Sequence, residues 1–293
     1  MKARRIISNI VVYAILVVMS IIWLLPIAWL VLQSFGGDLL ATGATKLIPD
    51  TWTFNNYIQL FTNTIWDGSP SKYTYLNWIF NTLIVSLVSC LISTLLVLCT
   101  SFAFSRLRFK GRTAMMKVIL VLGMFPGFLG MIVLYQILDL LGLTKQLSIV
   151  GLTLCYVGGA GMGYYICKGF FDTISKSIDE AAMVDGASRF QIFIHIIIPL
   201  SKPIIIYTLL TSFIAPWGEY ITSSYLLGTS GTQNWTVAVG LYDMIKPGPN
   251  QNFQNYWKQF CAGSVFIAVP ISVLFIIMQK YYVGGVTGGA VKG

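Results

Sequence analysis

The chain has 293 residues, of which 56% are hydrophobic and only 10% are charged. Because soluble domains carry about 25% charged residues, this composition excludes an ordinary soluble protein and indicates an integral membrane protein. The formal net charge of +9 comes from short basic clusters beside apolar runs. Without a basic stripe and interleaved aromatic residues, nucleic-acid binding is not expected.

Apolar runs predict an all-α fold with six transmembrane helices. An apolar run of about 20 residues is long enough to cross a bilayer as a helix. The first run follows a basic start and lacks a small-residue cleavage site, so we expect an uncleaved span rather than a signal peptide. The predicted spans cover approximately residues 10–32, 76–104, 114–138, 147–166, 204–227 and 259–278.

Glycine and proline interrupt two of the predicted spans. Pro126 and Gly127 lie at mid-depth of the third span, where a broken backbone must be covered by protein or line a water-filled cavity. A translocation path and a simple packing kink both explain this break. The fourth span is rich in glycine but no Lys-Ser or Lys-Thr follows, so it is not a nucleotide-binding loop. Gly159 and Gly163 instead predict a face of small residues for close helix contact.

Between the fourth and fifth spans, residues 172–203 form a polar segment that we call the wedge. Its first half predicts a helix over residues 173–184. Ile174 and Ala182 share one apolar face of this helix, and the charged residues, Asp179 among them, point away from that face. The pattern is typical of an amphipathic helix at a membrane surface.

The second half of the wedge begins with a turn. Gly186 stands where a left-handed helix cap forms readily. Ser188 and Gln191 have the spacing of a capping box, which predicts the start of a second helix. Pro199 and Pro203 bound or kink that helix, because proline lacks an N–H and clashes with the preceding turn.

The distribution of basic residues predicts the orientation in the membrane. Cytosolic segments of membrane proteins carry an excess of Lys and Arg. If the N-terminus, the loop at residues 105–117, the wedge region and the C-terminus are cytosolic, 14 of the 19 Lys and Arg residues lie inside and 5 outside. We therefore expect six spans with both termini in the cytosol.

The wedge resembles the EAA loop of permease subunits in bacterial ABC importers. The matching residues are Glu180, Ala181, Ala182, Gly186, Ile196 and Pro199. The flanking sequence, which includes Asp185 and Ser188, resembles the carbohydrate-importer branch, and particularly the second permease subunit of the maltose/maltodextrin type. The loop at residues 105–112 is also similar to the loop that follows the second span in this family.

This resemblance implies a set of partners and a mechanism. The partners are a second homologous permease subunit, two ATPase subunits, an extracellular sugar-binding protein and the lipid bilayer of the bacterial cytoplasmic membrane. ATP and Mg would be bound by the ATPase subunits, and this chain would bind no cofactor. The expected ATPase-coupling residues are Glu180, Ala181, Ala182, Asp185, Gly186, Ser188, Ile196 and Pro199.

One acidic residue falls inside a predicted span. Glu219, with Trp217 and Tyr220, resembles an aromatic and acidic patch in the fifth helix of sugar permeases, except that Gly218 replaces the usual Asn. A charge at this depth must face protein or water. The patch therefore lines the translocation path or makes a structural hydrogen bond, and we favour the structural role. The resemblance implies that the other permease subunit holds most of the sugar.

Other function classes fit the sequence less well. An ion-coupled secondary transporter needs several ionisable residues at mid-membrane and often an internal repeat, and a membrane enzyme needs paired acids or histidines. With a single histidine, His195, a metal site is not expected. An ABC importer permease for a non-sugar solute stays open. We divide the chain into an N-terminal span and extracellular loop at 1–75 and a transmembrane core at 76–293.

Overall fold

The computed structural model describes residues 2–37, 46–64, 71–124, 127–159, 161–228, 230–246 and 252–290. These ranges are mostly helical and contain no strand, only an isolated bridge between Gly36 and Trp52. The elements are α1 Lys2–Ser34, α2 Asn55–Thr62, α3 Tyr75–Arg106, α4 Arg112–Met124, α5 Gly127–Leu140, α6 Ser148–Gly158, α7 Gly161–Thr173, α8 Lys176–Val184, α9 Arg189–Ile192, a π turn at Phe193–Ile197, α10 Ile198–Leu200, α11 Lys202–Gly218, α12 Ile221–Leu227, a 3₁₀ turn at Thr232–Asn234, α13 Val237–Ile245 and α14 Asn252–Ala290.

Helix length and hydropathy identify the candidate spans. Within the described ranges, four helical stretches are long and apolar enough to cross a membrane: Asn9–Ser34, Tyr75–Arg106, Ser148–Thr173 and Tyr256–Tyr281. A fifth forms if the helices on either side of Ser201 count as one span, although they are bent by 81°. The prediction of a helical membrane protein is confirmed, and the count of six spans stays a prediction.

Two of the predicted spans differ from the sequence pattern. The third is divided into α4 and α5 around residues 125–126, which include Pro126 and lie outside the described residues. The fifth is not the continuous helix expected over residues 204–227. It ends at Gly218, and Glu219 adopts an extended conformation before α12 begins. The Glu219 carboxylate accepts the free amides at the start of α12, which stabilises this break.

The described residues group into two units, which we treat separately. The first unit comprises residues 1–75 and 241–269. Inside it the Tyr73 hydroxyl donates a 2.7 Å hydrogen bond to the Asp243 carboxylate. Burial, and then this bond, raise the pKa of Tyr73, so the hydroxyl stays protonated and keeps its donor role. The division of the chain that we predicted after residue 75 stays a prediction.

The second unit comprises residues 76–240 and 270–293, and it contains the wedge. The wedge packs onto α3 and α7 through a buried apolar cluster. Phe102 of α3 lies against Phe193 of the wedge with ring centroids 4.8 Å apart. Ile192 and Ile197 of the wedge and Phe171 of α7 are almost fully buried in this cluster. Apolar burial of this kind holds the wedge to the two helices.

A buried ion pair fixes the wedge to the end of α3. The Arg106 Nε lies 2.7 Å from the Asp179 carboxylate, and the two side chains are only 2% and 6% exposed. Arg106 also donates to the Ile174 carbonyl at 2.9 Å. The expectation that Asp179 points away from the buried side of α8 is therefore wrong. A carboxylate is buried at this position because a guanidinium from another helix meets it there.

Removing one partner of this pair should strongly destabilise the protein. We expect Asp179→Ala to lower the free energy of unfolding by about 3–5 kcal/mol, because it leaves the Arg106 charge buried without its carboxylate. The double variant Arg106→Met, Asp179→Leu should lose less, since it leaves no buried charge. Thermal unfolding in detergent micelles measures both changes.

The exposed Lys46–Asp50 pair provides the control for this experiment. Their side chains are more than half exposed, so Asp50→Ala should change the unfolding temperature little. Equal shifts for Asp179→Ala and Asp50→Ala would contradict a structural role for the buried pair.

Candidate functional site

The first helix of the wedge is shorter than the sequence predicts. Helix α8 begins at Lys176 rather than at residue 173, because Ser175 is its N-cap. The Ser175 Oγ accepts the Ser177 amide at 3.3 Å, and α7 extends up to Thr173. Ser175 therefore separates α7 from α8. Thr173, which the sequence assigned to the first helix of the wedge, is instead the last residue of α7.

The turn inside the wedge has the predicted conformation. Gly186 has a φ of +86°, the left-handed region in which side chains with a Cβ are strained. The capping box is also confirmed: the Ser188 amide donates to Gln191 Oε1 at 2.7 Å, and the Gln191 amide donates to Ser188 Oγ at 3.3 Å. The direction of the second helix is thus set by a glycine turn and a reciprocal cap.

The second helix contains an irregular turn that the sequence analysis missed. After α9 the backbone widens into a π turn at Phe193–Ile197, which ends immediately before α10 and Pro199. In a regular α-helix the ring of Pro199 would clash with the carbonyl of His195, four residues earlier. A wider turn in front of the proline relieves that clash. Ser201 then ends α10, and α11 starts at Lys202 with Pro203 in its first turn.

The side of the wedge that faces away from the apolar cluster is exposed. The coupling residues predicted from the sequence divide into two groups by burial. Ala182 and Ile196 are partly buried against the apolar cluster. The exposed ones are Glu180, Ala181, Asp185, Gly186, Ser188 and Pro199. The structure thus brings most of these residues to the surface of one short helical hairpin.

Two large apolar side chains extend this exposed surface. Val184 is 88% exposed and Phe190 is 72% exposed, and they flank the glycine turn on either side. The sequence analysis did not select them, although an apolar residue beside Asp185 or Arg189 at a helix end was a usable signal. We call Glu180, Ala181, Val184, Asp185 and Phe190 the wedge surface. Such an uncovered combination of charge and apolar area is typical of an interaction site.

Glu219 occupies the break between α11 and α12 and is bonded on several sides. Its carboxylate accepts the Thr222 amide at 2.7 Å and the Ser223 amide at 3.2 Å. The same group accepts the Tyr156 hydroxyl of α6 at 3.1 Å. Glu219 therefore caps α12 and joins it to a neighbouring helix. The Tyr156 contact was missed, because no local pattern connects residues 63 positions apart.

The other members of the predicted patch are less closely connected. The Trp217 ring lies near Phe213, with centroids 6.1 Å apart, and its indole N–H has no partner in the described part of the chain. Tyr220 is partly buried and immediately precedes α12. Pro126, which the sequence placed on the same path, lies outside the described residues.

The wedge region has no arrangement typical of a catalytic or metal centre. His195 is exposed, and its Nδ1 lies 3.2 Å from the Gln191 carbonyl in the preceding helical turn. Across the described ranges, no group of three or more His, Cys, Asp or Glu residues is placed to hold a metal ion. What the geometry offers is a rigid, exposed hairpin for binding.

Comparison with known proteins identifies the family. Residues 96–287 match the family described as "Binding-protein-dependent transport system inner membrane component". The galactooligosaccharides transport system permease protein GanQ of Bacillus subtilis (strain 168) is 36% identical over 100% of this chain and 99% of its own length. The maltose/maltodextrin transport system permease protein MalG of Vibrio vulnificus (strain YJ016) is also 36% identical, over 92% of this chain and 90% of its own.

A solved structure supports the same fold. The chain is similar to a chain from the crystal structure of a bacterial ABC transporter involved in the import of the acidic polysaccharide alginate. The TM-score is 0.77 at 22% identity, with 94% of this chain and 96% of that chain covered. The match to the family extends over most of the chain and includes the wedge. This chain belongs to the family of binding-protein-dependent transport system inner membrane components.

Proposed function

We propose that this chain is one permease subunit of an ATP-driven importer that moves a sugar, with a maltodextrin-type oligosaccharide as the first candidate, into a bacterial cell. The family is that of inner membrane transport components, and two full-length relatives at 36% identity are named as permeases for sugars. The chain itself carries no P-loop sequence, so ATP hydrolysis belongs to partner subunits that bind ATP and Mg.

The wedge surface is the observation that carries this proposal. Glu180, Val184 and Phe190 are exposed on a hairpin whose opposite side is buried against α3 and α7. A force applied to this surface would move the attached helices with it, because the Arg106–Asp179 pair and the apolar cluster hold them together. We assign the wedge surface to an ATPase subunit. Closure of the ATPase dimer would then drive alternating access of the spans.

The remaining partners follow from the same assignment. A second homologous permease would complete the pathway, and a second ATPase subunit would bind that permease. An extracellular sugar-binding protein would deliver the substrate, in agreement with the binding-protein dependence that the family description names. The wedge would lie in the cytosol with both termini, and six spans would cross the membrane.

Cysteine labelling tests this orientation. Asn55 lies in the predicted outer loop, Lys176 lies on the wedge, and both side chains are exposed. In a chain whose five cysteines are replaced, we expect an impermeant thiol reagent to label Asn55→Cys from outside intact cells and Lys176→Cys only after the membrane is opened. Labelling of both positions from outside would contradict the proposed topology.

Two substitutions in the wedge test its coupling role. A Cβ at Gly186 would meet no atom within 4 Å, so Gly186→Val acts only through the backbone. We expect valine to disfavour the left-handed turn by about 1–2 kcal/mol and to misdirect the second helix. Glu180→Lys should reverse the charge at this position and cancel the negative charge of the wedge surface. Both variants should insert normally but lose ATPase binding or binding-protein-stimulated ATP hydrolysis.

Gly186→Asn is the matched control, because asparagine adopts the left-handed conformation more readily than valine. It should retain most of the stimulated hydrolysis in the assembled complex. If Gly186→Val and Glu180→Lys both hydrolyse ATP at the unmodified rate, the wedge is not the coupling element.

For Glu219 we favour the structural role. Glu219→Gln keeps one acceptor oxygen, which can still accept the Thr222 amide or the Ser223 amide, so it should retain much of the uptake. Glu219→Leu should lose assembly or stability, because each buried donor left without its acceptor costs about 1–3 kcal/mol. Complex yield, thermal stability and sugar uptake measure the difference. Loss of uptake in a fully assembled Gln variant would show that the charge itself is required.

Reconstitution separates this function from its main alternative. Alone, the chain should show neither transport nor ATP hydrolysis. With a homologous permease, two ATPase subunits and a binding protein, it should support ATP-driven sugar uptake. Uptake by the purified chain alone, driven by a proton or sodium gradient, would instead identify a secondary transporter.

A further inference from the structure

A cavity of about 420 Å³ lies within the second unit, between α3, α6, α7, α11 and α12. This volume falls in the range of about 300–1,000 Å³ that is usual for small-molecule sites. Eight of its 14 described lining residues carry a hydroxyl group, and none of the 14 is charged. The lining is therefore polar but uncharged.

Several of these hydroxyl groups are poorly bonded within the chain. The side-chain hydroxyls of Ser212 and Thr222 make no hydrogen bond among the described residues. Those of Ser89 and Ser93 are buried and reach carbonyls of their own helix only at 3.5 Å, the limit of a hydrogen bond. Ser89 and Ser93 are buried, where a polar group without a good partner is costly, and Ser212 and Thr222 are partly exposed, so all four hydroxyls can bond an occupant of the cavity.

Glycines create part of the cavity. The sequence predicted that Gly159 and Gly163 allow close contact between helices, and the structure shows such a contact at Gly163: beside it, the Ser101 hydroxyl of α3 donates to the Tyr164 carbonyl of α7 at 3.0 Å. A Cβ on Gly163 would lie 3.6 Å from a methyl group of Val97, an ordinary contact, and a Cβ on Gly159 would meet only carbonyls of its own segment. Both residues also line the cavity, and their missing side chains leave open space there.

The electrostatics of the lining favour an uncharged occupant. The Glu219 carboxylate bonds to Tyr156 of the lining, but it is already occupied by the Thr222 and Ser223 amides. An anionic molecule entering the cavity would lose its hydration, meet no cationic side chain in the lining and lie near the Glu219 carboxylate, which is strongly unfavourable. Hydroxyl groups both donate and accept, so they match a molecule that is itself covered with hydroxyl groups.

We propose that this cavity is a site at which the chain itself contacts the transported molecule, and that it takes a neutral, hydroxyl-rich sugar unit. The inference rests on the proposed function and narrows it in two ways. It selects uncharged over acidic saccharides. It also gives this chain a direct role in passage, whereas the sequence resemblance implies that the other permease holds most of the sugar.

Filling the cavity tests the proposal. Gly163→Leu places a branched side chain into the open volume. Gly169→Leu is the matched control on the same helix, since Gly169 is exposed, lies outside the lining and has no atom within 4 Å of an added Cβ. The complete complex, with its ATPase subunits and binding protein, is reconstituted in proteoliposomes. Uptake of radiolabelled maltotriose and of a galactotriose is measured in turn, together with stimulated ATP hydrolysis.

The expected result is a change in the sugar transported per ATP hydrolysed. This ratio should fall about fivefold or more for Gly163→Leu, as overpacking predicts, and should equal the parent ratio for Gly169→Leu. A second variant removes a hydroxyl group from the lining without adding side-chain volume. Thr222→Val keeps the side-chain shape and the backbone amide but deletes the hydroxyl, and should lower the ratio about two- to tenfold. Ser224→Ala, in the same helix but outside the lining, is its control.

The outcomes separate the inference from the function on which it rests. If the parent complex shows no ATP-driven uptake of either trisaccharide, the proposed function fails for neutral sugars. If the parent is active and Gly163→Leu and Thr222→Val both keep its ratio, the cavity is not a contact site and only the inference is overturned. Should Gly163→Leu fail to assemble, the ratio of Thr222→Val decides.

Discussion

The position of the wedge depends on one buried interaction, the ion pair between Arg106 at the end of α3 and Asp179 in α8. Two charges are taken out of water there, which is unfavourable unless each meets the other with good geometry. Arg106 Nε approaches the Asp179 carboxylate to 2.7 Å only when α8 lies in one place against α3. Apolar contacts such as Phe102 with Phe193 would tolerate sliding, but a buried ion pair does not. Specific placement is thus its main contribution.

The same interaction connects the exposed and the buried parts of the second unit. Glu180, the next residue after Asp179, points about 100° away from it and lies on the wedge surface, so one short helix carries both the buried anchor and the exposed charge. Helix α3 continues from Arg106 to Val97, Ser93 and Ser89, which line the hydroxyl-rich cavity. The wedge and the cavity are therefore built on one helix. A displacement of the wedge has a direct physical route to the cavity lining.

Local features of the wedge could be predicted from the sequence, and long-range ones could not. The glycine turn at Gly186 and the Ser188 capping box depend on residues within four positions of each other, so their spacing is visible in the chain. The partner of Asp179 is 73 positions away, and Arg106 sits in a basic run that is typical of a membrane anchor. The break in the fifth span at Glu219 could not be predicted from the sequence for a related reason. The apolar pattern continues across it, and only the capping of α12 reveals that the helix stops.

The π turn at Phe193–Ile197 determines how many residues the wedge can contain. In a regular α-helix, residues five positions apart point in directions that differ by about 140°. In a π turn the hydrogen bond runs between residues five apart, so Ile192 and Ile197 can face the same side, and both are almost fully buried. Deleting one residue here would restore α-helical geometry and rotate Pro199 and the start of α11 away from their present directions. The length of this segment is therefore constrained as strongly as its composition. An insertion or deletion would change the direction of the whole following helix, α11.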